Sequence, residues 1–146
     1  MNFKFRSPEQ DKVYQTYKAT NPMEAMLANW EDRIVEEFTH WVIIKNKFPW
    51  DKFAKTHHLL VPKRRFAKAD DMNVEEEKEL KEIRKKIRTT YDMFIENLTG
   101  TLNHIYHPHL IIFKEETDPI YYEIEKEIEN LHTKHRTTDA QYPASV

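Results

Sequence analysis

The order of hydropathy patterns along this 146-residue chain predicts an α+β fold, with one long helix packed on an antiparallel sheet and an extra helix at the C-terminus. Three observations carry this. Arg33 to Lys45 is rich in β-branched and aromatic residues, and His57 to Val61 is a second short apolar strand. Leu80, Ile83 and Ile87 then recur at helical spacing with Lys and Glu between them. His104 to Phe113 supplies further strand on the far side of that helix.

Residues 1–20 are polar with scattered aromatics and no clean period, which reads as an irregular arm. Asn21-Pro22 ahead of Met23 to Trp30 predicts a short helix, Asn21 as cap and Pro22 in its first position. The β-rich run from Arg33 folds as a strand, or as a hairpin bent near Glu37, and Asn46 to Asp51 breaks it. Pro62 stops the next strand. Asn73-Val74-Glu75-Glu76 has the form of a capping box and opens the long helix, which runs to about Thr90. Tyr91 to Ile95 either extends that helix or begins a strand. Gly100 marks a turn, and residues 104–113 form a strand. Asp118-Pro119 opens an amphipathic helix with Ile120, Ile124, Ile128 and Leu131 on one stripe, and Thr137 to Val146 reads as a disordered tail. The expected organisation is an arm over 1–20, a domain over 21–115, an appended helix over 116–136 and a tail over 137–146.

Composition narrows the function classes. The chain is 39% hydrophobic and 33% charged with a net charge of -2, so its overall charge gives no argument for nucleic acid or an anionic membrane. It has no cysteine, which excludes disulfides and thiolate metal sites. Its start lacks a signal peptide's apolar core, and no apolar run approaches the ~20 residues of a membrane span, so a cytoplasmic location is expected. The single glycine, Gly100, excludes a glycine-rich phosphate loop.

Histidine is the chemical signal. Three of the eight histidines fall in His104-Ile105-Tyr106-His107-Pro108-His109, and His57-His58 opens another apolar run. Imidazole trades protons or attacks phosphorus near neutral pH. On a regular strand Ile105, His107 and His109 share a face and His104 points away. Pro108 has no N–H for the ladder, so an edge, an irregular strand or a bulge is expected there, and a bulge would bring all three imidazoles to one side.

These blocks resemble the histidine triad superfamily of nucleotide hydrolases and transferases. Its signature alternates three histidines with apolar residues, after Gly-x-Ser-Val-x. An earlier block, Asn-Arg-Tyr/Phe-Pro-Tyr followed by His-x-Leu-Val-x-Pro, is similar to Asn46-Lys47-Phe48-Pro49-Trp50 and His57-His58-Leu59-Leu60-Val61-Pro62. The likeness covers about residues 30 to 113. It implies a nucleophile at His107 and a third triad member at His109. The first member falls on Ile105 without a gap, or on His104 with one residue inserted; the second choice also puts a hydroxyl, Thr101, at the phosphate-side serine. The resemblance further implies Asn46 at the ribose, His57 in the wider site and Asn97 before the glycine turn. A terminal histidine of the earlier block is replaced by Arg65. In another register, similar to the galactose-1-phosphate uridylyltransferase branch, His107-Pro108-His109 makes His109 the nucleophile, although Ile111 stands where that branch has glutamine.

The implied activity is cleavage of a nucleoside phosphoanhydride or phosphoramidate, such as a dinucleoside polyphosphate, through a nucleotidyl-histidine, with no required cofactor and no metal. The rival expectation is a nucleotide- or RNA-binding module on the same fold that has lost turnover. A homodimer is the implied assembly. His58 is expected to be packed or on the surface, and Lys63-Arg64-Arg65 with Lys68 to be a solvated basic patch that could guide polyphosphate or RNA.

Overall fold

A computed structural model of the chain describes residues 5–22, 27–98, 105–115 and 119–139. They fall into two compact units, 1–113 and 114–146. The first contains a five-stranded antiparallel sheet in the order β1-β2-β3-β5-β4.

The N-terminal segment corrects the first expectation. Pro8–Thr20 is a helix, α1, not an irregular arm. Ser7 caps it by accepting the Gln10 N–H at 3.2 Å, and Pro8 opens its first turn. It buries none of its own residues, so it lacks the apolar stripe that periodicity detects. Tyr14 and Tyr17, three apart, lie against Phe48. Asn21 also differs from expectation, because its N–H and side-chain amide both donate to Tyr17 O, which makes it the C-cap of α1. Most of the short helix expected after it lies outside the described residues; Leu27 and Ala28 are helical, and Leu27 is buried.

The β-rich run is a hairpin, β1 (Ile34–Glu37) and β2 (Trp41–Lys45), closed by Phe38 N–H donating to Trp41 O. β3 is Ala54–Pro62, three residues longer at its start than the apolar run suggests. The capping box forms in full: Asn73 accepts from Glu76 N–H, and the Glu76 carboxylate accepts from Asn73 N–H. It opens α2 (Val74–Ile87), whose last turns carry on irregularly to Tyr91. Of Tyr91 to Ile95, the last three residues are strand, β4 (Met93–Ile95).

The strand expected over 104–113 is shorter. β5 is His109–Phe113 and pairs with β3 and β4. Ile105 to Pro108 is irregular backbone, because Pro108 cannot donate to a ladder. The segment stays attached through Tyr106 N–H to Phe66 O and Leu60 N–H to Pro108 O.

The sheet has two apolar faces. Trp41, Ile43, Leu60 and Leu110 meet Leu80, Ile83 and Ile87 of α2. Val42, Ile44, Leu59 and Val61 form the opposite face with Leu27 and Ile105. The period of two in β3 therefore puts His58 and Leu60 toward α2, and His57 and Leu59 away from it. In the second unit, Pro119–Asp139 is a helix, α3, on which Ile128 and Leu131 are about half exposed. The chain expected to be a tail is helical as far as Asp139. No helix of the described residues is long and apolar enough to cross a membrane.

Candidate functional site

His57 and His109 meet because β3 and β5 are neighbours. His109 lies opposite Leu59, and His57 opposite Ile111, so the two imidazoles are diagonal on the face away from α2. His57 Nε2 and His109 Nδ1 are 2.8 Å apart. His107, on the irregular segment, brings its ring centroid to 5.3 Å from that of His109. All three are at most 9% exposed.

Two backbone groups of fixed polarity set the tautomers. Trp50 N–H donates to His57 Nδ1 at 2.9 Å, so the His57 proton is on Nε2. That proton is donated to His109 Nδ1, so the His109 proton is on its own Nε2. His107 Nδ1 lies 2.7 Å from the carbonyl of Ile105, which can only accept, so Nδ1 carries the proton and Nε2 keeps its lone pair. The arrangement thus offers one bare imidazole nitrogen, on His107, and one N–H donor, on His109. The acceptor that fixes His107 comes from two residues upstream, within the irregular stretch from Ile105 to Pro108.

Burial dominates the titration of the cluster. It lowers His57 to about 3, reinforced by the charges of Arg6, His58 and His107. Burial lowers His109 well below the ordinary imidazole value, with His107, His57 and Arg6 adding to the effect. It lowers His107 too, against the opposing Ile105 hydrogen bond. All three are neutral at pH 7.

The Asn46 to Asp51 turn walls this face. Trp50 stacks on His109 at 4.3 Å and 19°, and tilts over His57 at 4.6 Å. Asn46 Oδ1 accepts the Phe48 N–H at 2.9 Å, which ties off the turn. Its Nδ2 is 3.3 Å from both ring nitrogens of His57, a geometry that puts the amide over the ring and not along one lone pair. Asn97 is half-buried two residues beyond Ile95, which pairs with His109. No hydrogen bond joins it to the imidazoles among the described residues. His104 and Thr101 lie outside the described residues. Ile105 is buried in the apolar cluster on the histidine face.

The other sequence candidates are structural. His58 Nδ1 meets Tyr91 OH at 2.6 Å on the α2 side, and burial is the main cause lowering it. Within the basic run, Lys63 pairs with Glu37 and Arg64 with Glu76. The Glu76 side chain is buried, which alone would raise its carboxyl, but the Arg64 and Asn73 hydrogen bonds outweigh this and hold it below the usual range. A cleft of about 670 Å³, lined in part by Met72, Lys78, Lys81, Arg84 and Tyr106, opens on the α2 side of the sheet, away from the imidazole face. Among the described residues no cluster of three His, Cys, Asp or Glu has the arrangement of a metal site.

Sequence reasoning missed Trp50 as a stacking partner, His57 as the residue that orients His109, and Arg6. Trp50 carried a signal, since an aromatic after Phe48-Pro49 must pack somewhere. Arg6 carried none, because its place depends on α1. No family model and no curated protein matches the chain.

Proposed function

We propose that this protein is a nucleotidyl hydrolase or transferase that works through a covalent nucleotidyl-histidine on His107. One observation carries the reading: Ile105 O holds the Nδ1 proton of His107, so that a neutral Nε2 lone pair is available at pH 7. His107 Nε2 bonds to the α-phosphorus while the bond from phosphorus to the leaving group breaks, and that group departs with the electron pair. The positive charge left on the imidazole is shared with Nδ1–H and faces the Ile105 carbonyl. Water or another acceptor then bonds to phosphorus, and the P–N pair returns to Nε2. The proton of that acceptor goes to a product phosphate oxygen and on to solvent. The N–H of His109 stabilises charge on the phosphate oxygens. Asn46, with a second lone pair on Oδ1, is the ribose candidate. His109 is the weaker nucleophile candidate, because its Nδ1 receives the His57 proton and its Nε2 carries one of its own.

A second reading is a nucleotide- or RNA-binding module without turnover. The near-complete burial of the imidazoles, two of them against Trp50, favours it. Intact-mass analysis after incubation with a dinucleoside polyphosphate, kept at neutral to alkaline pH because phosphohistidine is acid-labile, separates the two. A nucleotidyl adduct in the wild type that is lost in His107→Asn is expected. Saturable binding with no adduct would establish the binder instead.

A further inference from the structure

Arg6 lies just ahead of α1 and is half-buried. Its Nε donates to Phe48 O at 2.8 Å, and its guanidinium lies 3.9 Å over the Tyr14 ring. Phe48 stands between Asn46, whose amide crosses His57, and Trp50, which stacks on His109. The guanidinium is therefore fastened to the turn that walls the imidazoles. Neighbouring contacts hold the segment there: Ser7 N–H and Oγ each donate to Asp51 at 2.7 Å, and Phe5 packs on Trp50 and Phe53. Among the described residues no hydrogen bond occupies the two terminal amino groups of Arg6. The Asp11 and Asp51 carboxylates act on this cation electrostatically, and its own charge acts on His57 and His109. With no hydrogen bond on its fork it can still take a phosphate beside the neutral imidazoles.

The hydrogen-bond chain limits what can leave. A phosphoramidate releases an amine, which needs a proton from an acid. Neither His57 nor His109 has one to give, since the only fixed donor at the end of their chain is a backbone N–H. A phosphoanhydride releases a phosphate chain as an anion, which needs no proton but gains from a nearby cation. We propose that Arg6 makes this site selective for phosphoanhydrides over phosphoramidates by holding the phosphate chain that leaves when His107 attacks. The proposal rests on the nucleotidyl-histidine reading. The bond balance is the one given above, with the leaving oxygen taking the electron pair and its charge meeting the guanidinium.

The test has one readout that needs no turnover. Titration calorimetry with inorganic pyrophosphate compares the full-length wild type, Arg6→Gln, Arg6→Lys and, as a control, Lys12→Gln on the exposed side of α1. Pyrophosphate binding at least about tenfold weaker in Arg6→Gln, partly recovered in Arg6→Lys and unchanged in Lys12→Gln, is expected, as for loss of a charge-assisted fork. In parallel, kcat/KM for a dinucleoside polyphosphate should fall at least as far, while that for adenosine phosphoramidate changes little. Unchanged pyrophosphate affinity in a folded Arg6→Gln overturns the proposal. An equal fall for both substrates overturns it too, since that is what a mere tie between the segment and Phe48 would give. If the wild type forms no adduct yet pyrophosphate binding still depends on Arg6, the anion site stands and the nucleotidyl reading is the part that fails.

Discussion

His57 hydrogen-bonds His109, whose ring lies 5.3 Å from that of His107, so its proposed role is positioning. His57→Phe removes the donor to His109 Nδ1 and lets the His109 proton move off Nε2. The expected result is a fall in kcat of about tenfold or more with a smaller change in KM, in keeping with the scale of misoriented proton partners. His57→Gln, whose amide can still donate, should recover part of it; equal loss in both variants would count against tautomer control. The same burial predicts acid sensitivity. These imidazoles titrate below their ordinary value in the folded chain, so the unfolded chain takes up protons first as pH falls. For His57 the contribution is complete well above about pH 6.5 and is lost progressively toward pH 3, by up to about 1.4 kcal/mol per pH unit, and His107 and His109 act in the same direction. Thermal unfolding between pH 7.5 and 5 measures this, and His57→Phe should flatten the slope. A melting temperature independent of pH in that range would refute it.

Among the elements, α2 has the clearest local determinants. Asn73 and Glu76 satisfy two end donors reciprocally, and Glu76 also holds Arg64, which reaches Asp71 O. Asn73→Ala is expected to cost about 1 kcal/mol in denaturant unfolding, the usual loss for a cap. Arg64→Ala should cost more, because it leaves the buried Glu76 carboxylate without its cation. If Arg64→Ala proves the milder of the two, the pair is not the anchor described here. Strand β5 shows the opposite case. The strand expected from His104 begins only at His109, because Pro108 has no N–H for the ladder, and in the irregular stretch before it His107 Nδ1 meets Ile105 O. Pro108→Ala, by restoring an N–H, should perturb the His107 ring resonances more than it perturbs stability.

Across the molecule, the first unit contains the whole sheet, both apolar clusters and the imidazoles. A chain ending after Glu115 should therefore fold cooperatively and retain adduct formation. Loss of folding in that truncation would show that the α3 unit contributes to the core. Within the first unit, Leu60 is fully buried between strands and α2, and Leu60→Ala is expected to cost about 2–5 kcal/mol in denaturant unfolding. That is far more than any surface change on α1, which buries no residue of its own.

The sequence by itself determined what depends on near neighbours. The capping box, the stripe Leu80, Ile83 and Ile87, the β character of the run from Arg33 and the α+β class all follow from patterns a few residues long, because caps and helical or strand periods are local physics; that this run is a hairpin was decided only in the fold. It also marked His57, His107 and His109, since so many imidazoles in apolar strands are an unusual use of a core. Tertiary structure decided which atoms of those rings are protonated. That depends on a backbone N–H at Trp50 and a carbonyl at Ile105, groups every residue has and no side-chain pattern reveals. It decided that Met93–Ile95 is strand, because β5 offered an edge to pair with. It also decided the place of Arg6, because a cation's surroundings are set by whatever the folded chain brings against it, here a turn more than forty residues away.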